Sequence, residues 1–161
     1  MLRSGDTVDY KLDVDSETIE AVYPVAPLVV APSMPIRDVL ALLKAERTGS
    51  LLVCEANRLV GIFTERDAVR LMARGGDLTA PVSDVMTKNP VTVRSGSSLG
   101  AAIRAMSEGG YRRLPIVDDS NTPLGMVKVS GIVRYLVEHF PQAVYNLPPE
   151  PNVVMQQREG A

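Results

Sequence analysis

The fold of this chain is decided by one short stretch, Gly61-Ile62-Phe63-Thr64-Glu65-Arg66-Asp67. The apolar run from Leu59 to Phe63 predicts a strand, and a helical pattern begins directly after Thr64. The first turn of a helix leaves backbone N–H groups unpaired and carries the positive end of the helix dipole, so it attracts anions. The junction therefore places a hydroxyl, a guanidinium and a carboxylate where a sugar phosphate could be held.

Two interpretations of this junction stay open at the level of sequence. In the functional one, Thr64 donates to a phosphate, Arg66 neutralises it, and the two oxygens of Asp67 accept the hydroxyls of a ribose. In the structural one, Thr64 is an N-cap and Asp67 is the acidic residue at the third helical position, an arrangement worth about 1 kcal/mol of helix stability.

The rest of the chain is organised as an internal repeat. Residues 18–53 align with residues 81–116 at an offset of 63, and beyond the next turn the offset becomes 64. The extra residue falls in the polar turn around Asp118-Asp119, where an insertion is tolerated best. Repetition at this length indicates two copies of one structural unit.

Each copy predicts the element order β-α-β-β-α, which gives an α/β (α+β) fold. Gly75 is the predicted stop of the helix that follows Thr64, and Arg70 is assigned to the solvated face of that helix. A unit of about 60 residues buries little surface alone, so we expect the two to pack sheet against sheet with pseudo-two-fold symmetry. The predicted division is an N-terminal extension over 1–17, a first repeat over 18–80, a second repeat over 81–147 and a flexible tail over 148–161. Within the extension, strict alternation over residues 7–15 predicts a short strand.

Composition excludes several classes of function. The net charge is −2, so no overall electrostatic field attracts the chain to nucleic acid or to an anionic membrane. The two arginines Arg112 and Arg113 beside Tyr111 are too few to predict nucleic acid as a partner. The single cysteine, Cys54, lies in an apolar run that predicts burial. The sequence has no apolar run of about 18 residues and no signal-peptide pattern, so we expect a cytoplasmic protein with no membrane contact. No nucleophile stands beside a base and no His or Cys pair has ligand spacing, so we expect neither an enzyme nor a metal site.

The sequence resembles a tandem pair of CBS (cystathionine β-synthase) domains over roughly residues 18–145. The resemblance rests on the quoted stretch 61–67, on the run Arg112-Arg113-Leu114-Pro115-Ile116-Val117-Asp118, and on the linking segment Val82-Ser83-Asp84-Val85-Met86-Thr87-Lys88-Asn89-Pro90. Such pairs form a cleft between their repeats, and many bind AMP, ADP, ATP or S-adenosylmethionine there. The resemblance also implies a homodimer.

The resemblance implies a role for each candidate site residue. Asp67 would take the ribose hydroxyls, and Thr64 with Arg66 would take the phosphate. Arg112 or Arg113 would reach the phosphate from the other repeat. The adenine would lie among apolar strand residues, namely Val30, Leu51 and Leu52.

The second repeat departs from the pattern. Lys128 and Gly131 stand where Thr64 and Asp67 stood, so the ribose would lose its acceptor there, and Ser130 is predicted to be the N-cap of the last helix. We therefore expect one competent nucleotide site per chain. The leading hypothesis is a non-enzymatic regulatory module that signals occupancy to a separate effector protein, and the alternative is a structural dimerisation module without a ligand.

Overall fold

The computed structural model describes residues 13–140. This part of the chain contains seven strands and four α-helices. The strands are β1 (Val29–Val30), β2 (Ser50–Glu55), β3 (Arg58–Thr64), β4 (Thr87–Lys88), β5 (Val93–Arg94), β6 (Arg113–Val117) and β7 (Pro123–Lys128). The helices are α1 (Ile36–Ala45), α2 (Glu65–Ala73), α3 (Leu99–Gly109) and α4 (Val129–His139). The predicted β-α-β-β-α order is present twice, and β4 adds a short strand to the first sheet.

The two sheets repeat one plan. The first has the order β1-β2-β3-β4 and the second the order β5-β6-β7. In each, the first strand pairs in parallel with the second, and the second pairs antiparallel with the third. Each hairpin is irregular at the same place, between Val53 and Cys54 in the first and between Ile116 and Val117 in the second. These positions correspond at the repeat offset, so the pseudo-symmetry predicted from sequence extends to the details of strand pairing.

The segments that lead into the repeats are exchanged. The 3₁₀ turn Ile19–Val22 precedes the first repeat, yet Ile19 and Val22 belong to the core formed by α3, α4 and the second sheet. The matching turn Val82–Asp84 precedes the second repeat, yet Val82 is buried in the core of the first. Each repeat therefore supplies part of the other's core, and a boundary near residue 80 divides the sequence but not the packing.

A third apolar cluster joins the two sheets. It contains Leu52, Cys54, Leu59, Ile62, Val117 and Met126. Beside it, the Leu59 N–H donates to the Asn121 carbonyl oxygen at 3.0 Å, and the Asn121 side-chain amide donates to the Leu59 carbonyl oxygen at 2.9 Å. The predicted packing of sheet on sheet is confirmed, with polar bonds at the edge of an apolar interface.

Local predictions at chain reversals have mixed outcomes. Gly75 follows α2 with φ +64°, the left-handed conformation that stops a helix. The prediction for Ser130 is wrong: α4 begins two residues earlier, with Lys128 as N-cap and no side-chain cap bond. Of the strand predicted over residues 7–15, only residues 13–15 fall inside the described part, where they enter a turn. The predicted tail over 148–161 lies outside it. Across residues 13–140, every helix is too short or too polar to cross a bilayer.

Candidate functional site between the two repeats

A cavity of about 590 Å³ lies where the two repeats meet. Its walls are the β3–α2 junction of the first repeat, the start of β6 in the second, and the segment that connects β4 to β5. Ligand cavities commonly span roughly 300–1,000 Å³, so this one can hold a molecule of nucleotide size. Of the predicted site residues, Thr64, Arg66, Asp67, Arg112 and Arg113 all line it.

The junction between β3 and α2 forms a capping box. The Thr64 N–H and the Thr64 hydroxyl both donate to Asp67 Oδ2 at 2.8 Å, and the Asp67 N–H approaches Thr64 Oγ1 at 3.4 Å. The structural interpretation made from sequence is therefore correct. It does not exclude the functional one, because within the described residues no donor contacts Asp67 Oδ1.

This arrangement limits what each group can do. A threonine hydroxyl has one hydrogen, and that of Thr64 is already given to Asp67. The hydroxyl can donate to a ligand only by breaking that bond. The other oxygen of Asp67 needs no such rearrangement. Among the backbone N–H groups of this turn, that of Glu65 donates to the Gly49 carbonyl oxygen at 3.1 Å and those of Thr64 and Asp67 belong to the capping box, so within residues 13–140 the Arg66 N–H is left for a ligand.

A direct contact between the repeats forms one end of the cavity. Arg113 Nη1 donates to Ser50 Oγ at 2.8 Å. These residues occupy equivalent positions in the two repeats, and Ser50 is only 4% exposed. A Cβ built on Gly49 would lie 2.9 Å from Glu65 Oε2 and 3.3 Å from Arg113 Nη1, so glycine leaves room there for both side chains. The guanidinium of Arg113 is thus held at the cavity by the first repeat.

Two basic residues of the cavity were not predicted to belong to it. Arg70 was assigned from sequence to the solvated face of α2, and Lys88 was not singled out. Arg70 follows Arg66 by four residues, so both lie on one face of the helix. This spacing was the signal in the sequence that could have placed Arg70 at the site.

The apolar wall of the cavity also differs from the sequence prediction. Val30, Leu51 and Leu52 are 5%, 0% and 0% exposed and do not line the cavity. The run from Leu51 to Cys54 lies in a central strand that is buried on both faces, with Leu51 in the first-repeat core and Leu52 in the cluster between the sheets. The apolar lining comes instead from Ile62, Val91, Tyr111, Leu114 and Pro115.

Two of these residues are well exposed. Val91 is 44% and Tyr111 is 41% exposed at the cavity, whereas Ile62 and Leu114 are buried beneath it. A flat apolar group that entered the cavity would remove both exposed side chains from water, which is a favourable change.

The equivalent place in the second repeat is much smaller. A cavity of about 130 Å³ is lined there by residues that include Ser50, Met126 and Lys128. The segment that carries Val25 pairs with β7 in a different register from its counterpart in the first repeat. Val25 pairs with Met126, whereas Lys88, the counterpart of Val25, pairs with Gly61 and not with Ile62, the counterpart of Met126. A Cβ on Gly131 would lie 2.5 Å from the Val22 carbonyl oxygen. An aspartate at position 131, the counterpart of Asp67, would therefore require the backbone to move.

The second repeat also neutralises its own arginine. Arg134, the counterpart of Arg70, donates to Glu138 Oε1 at 2.8 Å and lies 4.5 Å from the centre of the Tyr23 ring. The Tyr23 hydroxyl also donates to Glu138. The hydrogen bond from Arg134, followed by that from Tyr23, lowers the pKa of the Glu138 carboxyl below its usual value. In the first repeat the position of Glu138 is taken by Arg74, so Arg70 has no such acid on its helix.

Other reactive groups lie apart from the cavity. Cys54 is buried in the interface between the sheets, and burial raises the pKa of its thiol. Within residues 13–140, no three His, Cys, Asp or Glu side chains are arranged to bind a metal ion.

Comparison with known proteins assigns the fold to a family. The model of the CBS domain matches this chain twice, over residues 21–74 and 82–138. The chain belongs to the CBS domain family. It carries two CBS domains in tandem, at the two repeats described above.

Relatives of the CBS pair occur both alone and inside larger proteins. The CBS domain-containing protein YhcV of Bacillus subtilis is 39% identical over 104 residues, which cover 64% of this chain and 74% of YhcV. An inosine-5'-monophosphate dehydrogenase of Nitrosopumilus maritimus is 37% identical over 109 residues, which are 67% of this chain but 22% of the enzyme. Among solved structures, CBSX2 in complex with AMP is 28% identical with a TM-score of 0.68, over 76% of this chain and 97% of CBSX2.

Proposed function

We propose that this CBS pair is a regulatory module that binds one adenosine nucleotide per chain, in the cavity between the repeats. The observation that carries the proposal is the convergence at one 590 Å³ cavity of a helix N-terminus, a carboxylate with a free oxygen, and arginines from both repeats. The complex of CBSX2 with AMP supports the choice of ligand.

In this proposal Asp67 does two things at once. Oδ2 stays in the capping box with Thr64, and Oδ1 accepts a hydrogen bond from a ribose hydroxyl. Because Oδ2 is occupied by the capping box, a bond to the second ribose hydroxyl would also have to use Oδ1, whose two lone pairs allow it. The capping box fixes the rotamer of Asp67, which lowers the entropy lost when the sugar binds.

The phosphate and the base take opposite ends of the cavity. The phosphate lies at the first turn of α2, where the backbone N–H and the guanidinium of Arg66 favour an anion, and Arg112 and Arg113 approach it from the second repeat. The base lies against Val91 and Tyr111 and covers their exposed surface. A ligand held this way contacts both repeats, so its binding favours whichever relative arrangement of the repeats gives the better contacts. A separate effector protein would respond to that arrangement.

Calorimetry on the purified chain tests this function. Titration with AMP, ATP and S-adenosylmethionine should give saturable heat with at least one of them, at one site per chain. Asp67→Ala should weaken that binding by about tenfold or more, because it removes a charged acceptor from a partly enclosed site.

The matched control is Ser98→Ala. Ser98 caps α3 by accepting from the Ala101 N–H at 3.1 Å, and it does not line the cavity. Its loss should cost a similar amount of helix stability, about 1 kcal/mol, without changing affinity. Equal weakening in both variants would attribute the Asp67 effect to stability, and silence with all three ligands would refute nucleotide binding. Turnover of the nucleotide would instead indicate an enzyme.

We also propose that the chain forms a homodimer. The alternative function, a dimerisation module without a ligand, requires the same dimer. Val69 on α2 is 66% exposed, and its counterpart Val133 on α4 is 52% exposed. Met72, at 60%, extends the apolar surface of α2. Exposed apolar residues at equivalent positions of both repeats form a surface with approximate two-fold symmetry, which suits a second copy of the same chain.

Analytical ultracentrifugation tests the dimer. Val69→Asp and Val133→Asp should each shift the chain toward the monomer, because each buries a charge in an apolar interface. Leu124→Asp is the control, since Leu124 is 53% exposed and lies on β7, not on either helix. If all three variants sediment as the wild type does, α2 and α4 do not form the dimer interface.

A further inference from the structure

The cavity carries an excess of positive charge in a chain whose net charge is −2. Only two carboxylates line it, those of Glu65 and Asp67. Five cationic side chains line it, and they are Arg66, Arg70, Lys88, Arg112 and Arg113. None of the five takes part in an ion pair formed among residues 13–140, where the paired arginines are Arg37, Arg94, Arg104 and Arg134.

Unpaired cations around one cavity repel each other, and an anion that enters relieves this repulsion. The more negative the ligand, the larger the gain. A nucleoside monophosphate brings about −1.5 to −2 charges at neutral pH, which cannot balance an excess of three cations. Each further phosphate adds another negative charge. S-adenosylmethionine carries a sulfonium cation and gains nothing from this environment.

The position of Arg70 gives the extra charge a place to bind. Arg66 lies in the first turn of α2, beside the phosphate site proposed above, and Arg70 lies one turn further along the same face. A phosphate chain that starts at the helix N-terminus and extends along α2 would therefore meet Arg66 and then Arg70.

The second repeat supplies an independent contrast. There the equivalent arginine, Arg134, is neutralised by Glu138 and covered by Tyr23. At the position of Glu138 the first repeat has Arg74, so Arg70 lacks the acid that neutralises Arg134, and no other acid among residues 13–140 forms an ion pair with it.

We infer that this cavity selects a nucleoside di- or triphosphate over a nucleoside monophosphate, and that Arg70 is the residue that makes the distinction. The inference rests on the proposed function, since it concerns the same site.

The test compares affinities for adenosine, AMP, ADP and ATP by calorimetry in EDTA, so that no divalent cation masks the phosphates. Affinity should rise along this series, with ATP about tenfold tighter than AMP, and ATP binding should weaken more steeply with added NaCl. Arg70→Gln should lower the affinity for ATP more than that for AMP and reduce the ratio to below about threefold. Arg134→Gln, the same change at the equivalent position outside the cavity, should leave the ratio as in the wild type.

The outcomes distinguish failure of this selectivity from failure of the proposed nucleotide binding on which it rests. If AMP or S-adenosylmethionine binds as tightly as ATP, or if Arg70→Gln keeps the wild-type ratio, the selectivity is refuted while nucleotide binding stands. If neither S-adenosylmethionine nor any of the four compounds of the series binds, both are refuted.

Discussion

The turn from Thr64 to Asp67 and the turn from Lys128 to Gly131 are built on the same strand-to-helix plan, but only the first adjoins a large cavity. The first has a complete capping box, and α4 begins with no side-chain cap at all. The first cavity has a volume of about 590 Å³ and the second about 130 Å³. A duplicated backbone therefore does not duplicate a site.

The cause of the difference lies in the leading segments, not in the turns themselves. Near Gly131 the chain at Val22 comes so close that only glycine fits, and Val25 pairs with Met126 by backbone bonds of 2.9 and 3.0 Å. In the first repeat the corresponding strand, β4, pairs in a register that differs by one residue, and the start of α2 lines the larger cavity. The more open of the two sites therefore coincides with a different register of its leading segment.

The largest effect that can test this comparison is expected at Gly131. Gly131→Ala should destabilise the protein by about 1–3 kcal/mol, because the new methyl group meets the carbonyl oxygen of Val22, which the backbone holds in place. The measurement is the free energy of unfolding in urea.

Gly100→Ala provides the contrast on α3. Its added Cβ would meet Asp15 Oδ1, at the end of an exposed side chain that can turn away. The change should stay within about 0.5 kcal/mol. Equal effects at the two glycines would show that Val22 does not close the second site.

A smaller effect is expected at the contact between equivalent residues of the two repeats. Ser50→Ala removes the acceptor of the bond from Arg113 and should lower the free energy of unfolding by about 1.5 kcal/mol, at the low end for a hydrogen bond to a charged group. Ser95→Ala is the control, because its hydroxyl bonds to Glu20 in an exposed setting. An undiminished stability in Ser50→Ala would show that the bond adds nothing to the junction of the repeats.

The two helix starts can be compared directly by truncation. Thr64→Ala removes a cap and should cost about 1 kcal/mol of stability. Lys128→Ala, at the equivalent position, removes no cap bond and should change stability by less than about 0.5 kcal/mol. Equal losses in urea denaturation would contradict the asymmetry between the two turns.

The smallest effect concerns the titration of Glu138. Its pKa is lowered, first by Arg134 and then by Tyr23, so ionised Glu138 stabilises the folded chain above the usual glutamate pKa. That contribution is lost as the pH falls through the lowered value. Carboxyl titration by NMR should place the pKa of Glu138 below the usual glutamate value, and Tyr23→Phe should move it upward. A midpoint for Glu138 at the usual glutamate value would contradict the pairing.

Much of the fold followed from the sequence because local signals agreed with the tertiary arrangement. The offset of 63 predicted two units, the Thr64 and Asp67 pair predicted a helix start, and Gly75 predicted a helix stop. The apolar lining of the cavity was not predictable in the same way. An apolar run such as Leu51 to Cys54 is compatible with lining a cavity or with burial on both faces of a central strand, and periodicity does not distinguish the two.

The sequence by itself determined the CBS pair and the strand-to-helix turn from Thr64 to Asp67, because caps, strand runs and repetition are visible in the sequence itself. Only the tertiary structure decided that Arg70 and Lys88 share a cavity with Arg112, and that the Val22 carbonyl oxygen lies against Gly131. Those relations depend on how segments far apart in the chain are exchanged between the repeats, and nothing in the local sequence specifies them.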